Sequence, residues 1–184
     1  MGQYYTPTVM HENGEMATFL SHDYGNGLKL MEHSYIGNYF VAAVLNYIKA
    51  NGPARLWWLG DYADVDDFED KEIKFDVNKL KEINSNVFDV NPQEQDLNFK
   101  RLVVVNKTKK IYIDLLDYQR GDICPIPILT AVGNGRGGGD YWGENEDKAG
   151  SWAGDVIDCL DEIPDDPNFA KEYEKYNIVF RENE

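Results

Sequence analysis

The chain is poor in the side chains that carry covalent chemistry. Its 184 residues include three histidines, two cysteines and only four serines. No serine sits in a Gly-x-Ser-x-Gly turn, so the nucleophile elbow of the α/β-hydrolases is missing. Cys124 and Cys159 stand far apart, without the close Cys/His spacing that structural zinc requires, and reduced thiols are expected rather than a bridge. No apolar run approaches the roughly 18 residues of a transmembrane helix. Positive charge is the last shortage: 18 Lys and Arg face 33 Asp and Glu, a formal net charge of −15. Such a chain repels nucleic acid and anionic membranes within a Debye length, so neither is expected as a direct partner.

What remains is enough for a core. Hydrophobic residues make up 42% of the chain and aromatics 13%, which excludes a disordered class and suits one domain over 1–184. Met1-Gly2-Gln3-Tyr4-Tyr5 has neither the basic start nor the apolar stretch of a secretory signal. A cytoplasmic location is therefore expected, the host cytoplasm if the gene is phage-borne.

An internal echo organises the sequence. Trp58-Leu59-Gly60-Asp61 through Asp64 and Trp152-Ala153-Gly154-Asp155 through Asp158 share W-x-G-D-x-x-D at an offset of 94 residues, and Asp23-Tyr24 and Asp117-Tyr118 repeat at the same offset. The echo divides the chain into candidate related halves, 1–64 and 99–158, joined by an acidic connector, 65–98. Strands are expected at Gln3–Thr6, Met16–Leu20, Gly27–His33 and Arg55–Leu59, from alternation or apolar runs. Ser34 is expected to cap a helix reaching about Ala50, since Phe40, Val41, Val44, Leu45 and Ile48 recur at helical spacing and Asn51-Gly52-Pro53 stops it. A short helix is read at Val77–Ile83, a hairpin at Leu102–Val105 and Ile111–Ile113, and an extended Pro125–Thr130. Val156–Leu160 and Asn177–Arg181 read as strands, with a helix between them opened by Asp166 and Pro167. The sum is an α+β fold around a mixed, mainly antiparallel sheet, with a few helices.

Three groups of residues are candidates for a site. Gly133 through Gly143 hold six glycines, Gly133, Gly135, Gly137, Gly138, Gly139 and Gly143, with Arg136 among them. Backbone N–H groups in such a loop can form an anion nest, and Arg136 adds a fork of donors for a phosphate. The loop is neither a P-loop nor a dinucleotide fingerprint. His22, Asp23, Glu32 and His33, with Asp140, are the candidates for proton transfer should the chain be an enzyme, although neighbours in a strand point to opposite faces. The run Asp64, Asp66, Asp67, Glu69 and Asp70 lacks the glycine and the last glutamate of a calcium loop, so it reads as a solvated face or as a partner-binding strip of carboxylates. Asp61 and Asp155 form a further candidate pair. Neither a metal nor a cofactor is expected.

Several stretches resemble a family. They are Met1–Tyr5, His22–His33, Gly60–Asp64, Gly133–Trp142 and Ser151–Asp155. Together they resemble small proteins of bacterial genomes and mobile elements that begin Met-Gly-Gln-Tyr-Tyr. That family carries no established activity, so the resemblance transfers no catalytic residue. The chain departs from it at Glu12–Met16, where the family has a Lys-Lys stretch.

Charge gives the functional expectation. Residues 60–72 hold seven acids and one lysine, and residues 155–184 hold ten acids and three bases, together −13 of the −15. With the mobile-element resemblance, this points to an acidic, non-catalytic binding protein that engages a basic nucleic-acid-handling protein. The expected type is a phage or mobile-element anti-defence inhibitor of the anti-CRISPR kind, with a CRISPR nuclease as the model partner. The alternative is an enzyme or sensor for a phosphorylated or nucleotide-like ligand held by the glycine loop.

Overall fold

The computed structural model describes residues 1–64, 67 and 102–184. Eight strands form one sheet, with four helices among the described residues. The strands are β1 (Tyr5–Met10), β2 (Met16–Thr18), β3 (Ala54–Gly60), β4 (Val103–Asn106), β5 (Ile111–Asp114), β6 (Ala131–Val132), β7 (Val156–Leu160) and β8 (Glu174–Lys175). Their order is β2-β1-β3-β7-β4-β5-β8, with β6 parallel to the end of β3. All other pairs are antiparallel except β5 with β8. The fold is the expected α+β type with a mixed, mainly antiparallel sheet.

The long helix is α2 (Tyr39–Asn51), preceded by the single turn α1 (Leu30–His33). The apolar face read from the sequence is the buried one: Phe40, Val41, Val44, Leu45 and Ile48 pack into the core. With Leu56, Trp58, Val104, Ile113 and Ile157 of the sheet they form one cluster. The cap is Asn38 rather than Ser34. The Asn38 Oδ1 accepts from Phe40 N (2.9 Å) and Val41 N (3.1 Å), satisfying two of the orphan amides at the helix start. Ser34 closes the preceding turn instead, its hydroxyl donating to the Leu30 carbonyl at 2.6 Å.

Three expected strands differ. Gly27–His33 is not a strand: Glu32 reaches back to accept from Lys29 N at 3.0 Å, which stabilises the turn of α1. Pro125–Thr130 is not extended but begins as the helix α3 (Pro125–Leu129). Its prolines fall at the first and third helical positions, where an N–H would have no intrahelical partner, so they break nothing. Asn177–Arg181 lies outside the strands. Ile178 and Phe180 are buried and Val179 is exposed, but Tyr118 and Asn145 side chains donate to the Ile178 and Val179 carbonyls in place of a neighbouring strand. Asp166 and Pro167 open α4 (Pro167–Glu172) as read, with the Asp166 carboxylate accepting from Asn168 N. Val77–Ile83 and the rest of the connector lie outside the described residues.

The two W-x-G-D patterns occupy unlike positions. Gly60 is the last residue of β3, paired with Tyr5, whereas Gly154 precedes β7 with φ +75° and donates its N–H to the Leu56 carbonyl. The echo is one of sequence; its two copies are not structural equivalents. Nor do Asp61 and Asp155 converge. Asp61 accepts from Tyr4 N at the far end of β3, and Asp155 is buried beside Leu56, accepting from Asn106 Nδ2 (2.8 Å) and Lys109 Nζ (2.7 Å).

Candidate functional site

The glycine-rich loop leaves β6 and folds over the N-terminal segment. Gly137 carries no side chain for a steric reason: a Cβ there would stand 2.7 Å from Gln3 N and 2.5 Å from Gln3 Cβ. Backbone bonds seal the approach, with Gly138 N donating to the Met1 carbonyl and Gln3 N to the Gly138 carbonyl. The two segments thus pack backbone to backbone.

An anion nest does form here, and the chain fills it with its own carboxylate. Asp140 is only 4% exposed. Its Oδ2 accepts from the backbone N–H groups of Gly135 (2.7 Å), Arg136 (2.9 Å) and Gly137 (2.9 Å), and from Gln3 Nε2 (2.8 Å). Its Oδ1 accepts from the Tyr5 hydroxyl at 2.9 Å. Five donors satisfy a charge that would otherwise be costly to bury. Burial, and then the carboxylate beside it, push the Tyr5 phenol well above its ordinary range, so it remains a donor. The expectation that Gly133, Gly135, Arg136, Gly137, Gly138 and Gly139 hold an external phosphate is corrected on this point. The amides of residues 135–137 are turned onto Asp140, and the Gly133 carbonyl accepts from Gln3 Nε2 at 2.7 Å.

Arg136 is likewise engaged, facing Asp64 and Asp67. Its guanidinium donates to the Tyr62 carbonyl at 2.7 Å and pairs with Asp64 and Asp67. Of the acidic candidates, Asp64 and Asp67 therefore meet Arg136 on the surface, while Asp66, Glu69 and Asp70 lie outside the described residues.

The proton-transfer candidates do not assemble. His33 is fully buried: its Nδ1–H donates to the Gly27 carbonyl (3.0 Å), and its Nε2 accepts from the Trp58 indole N–H (2.8 Å). Both ring nitrogens are used, and burial lowers its pKa to about 4. It is a neutral structural histidine. His22 and Asp23 are exposed in a turn, Glu32 is on the surface at the start of α1, and Asp140 belongs to the nest. No three His, Cys, Asp or Glu side chains among the described residues are placed to hold a metal ion. Cys124 and Cys159 are free and buried; burial pushes the Cys124 thiol up to about 12 and the Cys159 thiol higher still, so both stay protonated.

Gln3 and Tyr5 are the residues that sequence reading missed. They were legible only as two positions on one side of a strand, with Tyr4 between them turned outward. A buried glutamine on such a face must find partners, and the one carboxylate of the glycine loop was the available acceptor.

Among the described residues no helix is long and apolar enough to cross a membrane. No family model, curated protein or solved structure matches the chain.

Proposed function

We propose that the protein is an acidic, non-catalytic binding protein that docks on a basic nucleic-acid-handling protein, as an anti-defence inhibitor of the anti-CRISPR kind does. The observation that carries this reading is the placement of its acids. After β7, Asp161, Glu162, Asp165 and Asp166 lie exposed within six residues, and Asp64 and Asp67 are exposed on the surface beside the glycine loop. Exposed carboxylates in this number complement a phosphate-binding groove and steer association with it. The self-filled nest supports the same reading, because it leaves the rival phosphate site without its amide donors.

The test is inhibition of DNA cleavage by a panel of purified RNA-guided nucleases. Inhibition of one of them is expected. Reversing Glu162 and Asp165 to Lys, or Asp66, Glu69 and Asp70 to Lys, is expected to weaken it at least tenfold without lowering the unfolding midpoint. Inhibition that survives both reversals, or that is indifferent to salt, would overturn the reading.

A further inference from the structure

The segment that follows β8 is extended but paired along one side only. Its odd residues turn toward residues 141–145. The Val179 carbonyl accepts from Asn145 Nδ2 (2.8 Å), Arg181 N donates to the Tyr141 hydroxyl (3.0 Å), and the Arg181 carbonyl accepts from Glu144 N (2.9 Å). Successive residues of an extended chain present their N–H and C=O groups to opposite sides, so Ile178 and Phe180 face the other way. There the Tyr118 hydroxyl reaches the Ile178 carbonyl. The N–H of Ile178, and both the N–H and C=O of Phe180, have no partner among the described residues. Yet the two residues are only 6% and 4% exposed. Main-chain polar groups at buried residues are nearly always paired, so two such donors in a row mark an unfinished strand edge.

A second extended stretch faces this edge. Ile36 N donates to the Asp122 carbonyl (2.8 Å) and Cys124 N to the Ser34 carbonyl (3.1 Å), which turns Asp122 and Cys124 toward residues 34–36 and turns Ile123 away from them. The N–H and C=O of Ile123 likewise have no partner among the described residues. Between Ile123 and the Ile178–Phe180 edge lies a cleft of about 290 Å³, with Asp117, Asp122 and Arg181 on its rim. Its two flanks therefore offer main-chain donors and main-chain acceptors together. A bound anion would use donors alone and would meet the rim carboxylates, whereas an extended backbone uses both kinds of group. On the rim, Asp117 is paired with Lys175 (2.7 Å) and Arg181 with Glu144 (3.4 Å). Asp122 is exposed and in no ion pair among the described residues; its carboxylate accepts only from Gln119 N (2.8 Å). The charge left over is negative.

We propose that this cleft takes an extended basic peptide, which adds as a strand between Ile123 and the Ile178–Phe180 edge. The guest backbone pairs with the free groups on both flanks. Its alternate side chains are apolar where they point inward beside Ile178 and Phe180, and are Lys or Arg where they point outward toward Asp122. The cleft shares no residue with the acidic docking surface and its test involves no nuclease, so either reading can fail without the other.

The experiment is NMR titration of the full chain with acetyl-Lys-Val-Lys-Val-Lys-amide at about 0.15 M salt, where long-range attraction to the acidic surface is screened. Saturable binding is expected below about 2 mM peptide. With peptide at about ten times its dissociation constant, amide exchange at Ile123, Ile178 and Phe180 should slow about tenfold. Val179, whose main chain faces residues 141–145, should keep its rate. The same peptide N-methylated at both valines should bind about tenfold more weakly, the effect of two lost backbone donors. Replacing its lysines with glutamate should abolish binding over that range. Asp122→Asn, which keeps an acceptor for Gln119 N, should weaken the lysine peptide about two- to fivefold. The proposal is overturned if the lysine peptide does not bind, if N-methylation changes nothing, or if exchange at Ile178 and Phe180 does not slow relative to Val179. It is equally overturned if the glutamate peptide binds as tightly, or if Asp122→Asn leaves the affinity unchanged. The exchange pattern is read on the unmodified chain, so it decides the matter should the Asp122 variant fail to fold.

Discussion

Removing the Asp140 carboxylate would leave three backbone amides, a phenol and a carboxamide converging on an empty point. Each buried donor stripped of its acceptor costs about 1–3 kcal/mol, and water can reach only part of the gap. Asp140→Ala is therefore expected to destabilise by about 3 kcal/mol or more, and Asp140→Asn, which keeps one acceptor, by less; urea unfolding midpoints measure both. An Asp140→Ala loss below about 1 kcal/mol would mean that the nest contributes little. His33 gives the pH dependence at the same scale. Its folded pKa of about 4 lies below the ordinary histidine value, so the unfolded chain binds the proton first. Its contribution is fully present above about pH 6.5 and is lost as pH falls toward 4, with about 2 kcal/mol gone by pH 5. His33→Gln, which can still accept from Trp58, should flatten the slope of stability between pH 6.5 and 5. An unchanged slope would assign that acid sensitivity to the carboxylates.

Elements were legible where one physical signal dominated. The helical spacing of Phe40 to Ile48 marked α2, and the apolar hairpin at 102–113 marked β4 and β5, because burial on one face or in one layer leaves a periodic or continuous trace. Reading failed where two signals competed. Pro125 and Pro127, which cannot donate to a ladder, pointed to an extended edge strand or strand entrance, yet helix starts tolerate proline, and the buried Ile126, Ile128 and Leu129 made the helical turn worth forming. At Gly27–His33 the alternation mimicked a strand, and the side chain of Glu32 tipped the balance toward a turn. The W-x-G-D echo misled for a similar reason. Tryptophan, glycine and aspartate each have a structural use, and the same three shared letters straddle the end of β3 in one place and precede β7 in the other. The glycine loop was recognised as an anion nest, but its occupant was invisible. Asp140 meets Gln3 only after some 137 residues of chain have folded back, and no local pattern encodes that meeting.

At the scale of the whole molecule, a net charge of −15 acts on stability and on association together. Like charges crowded on one surface repel each other, so the free protein should gain stability as salt rises through the first few tenths molar. The same salt should weaken capture of any basic partner. Arg136 stands where these two effects can be separated. It balances Asp64 and Asp67 on the surface and donates to the Tyr62 carbonyl. Because exposed ion pairs contribute only about 0–1 kcal/mol, Arg136→Gln should leave the unfolding midpoint nearly unchanged while making the surface one charge more negative. Binding of a lysine-rich peptide, followed by fluorescence anisotropy, should therefore tighten severalfold at low ionic strength. The gain should vanish at about 0.5 M salt, where screening reaches only a few ångströms. If the variant binds the peptide no better than the unmodified chain at low salt, Asp64 and Asp67 are not part of the surface that attracts cations, and the exposed acids after β7 must account for the attraction alone.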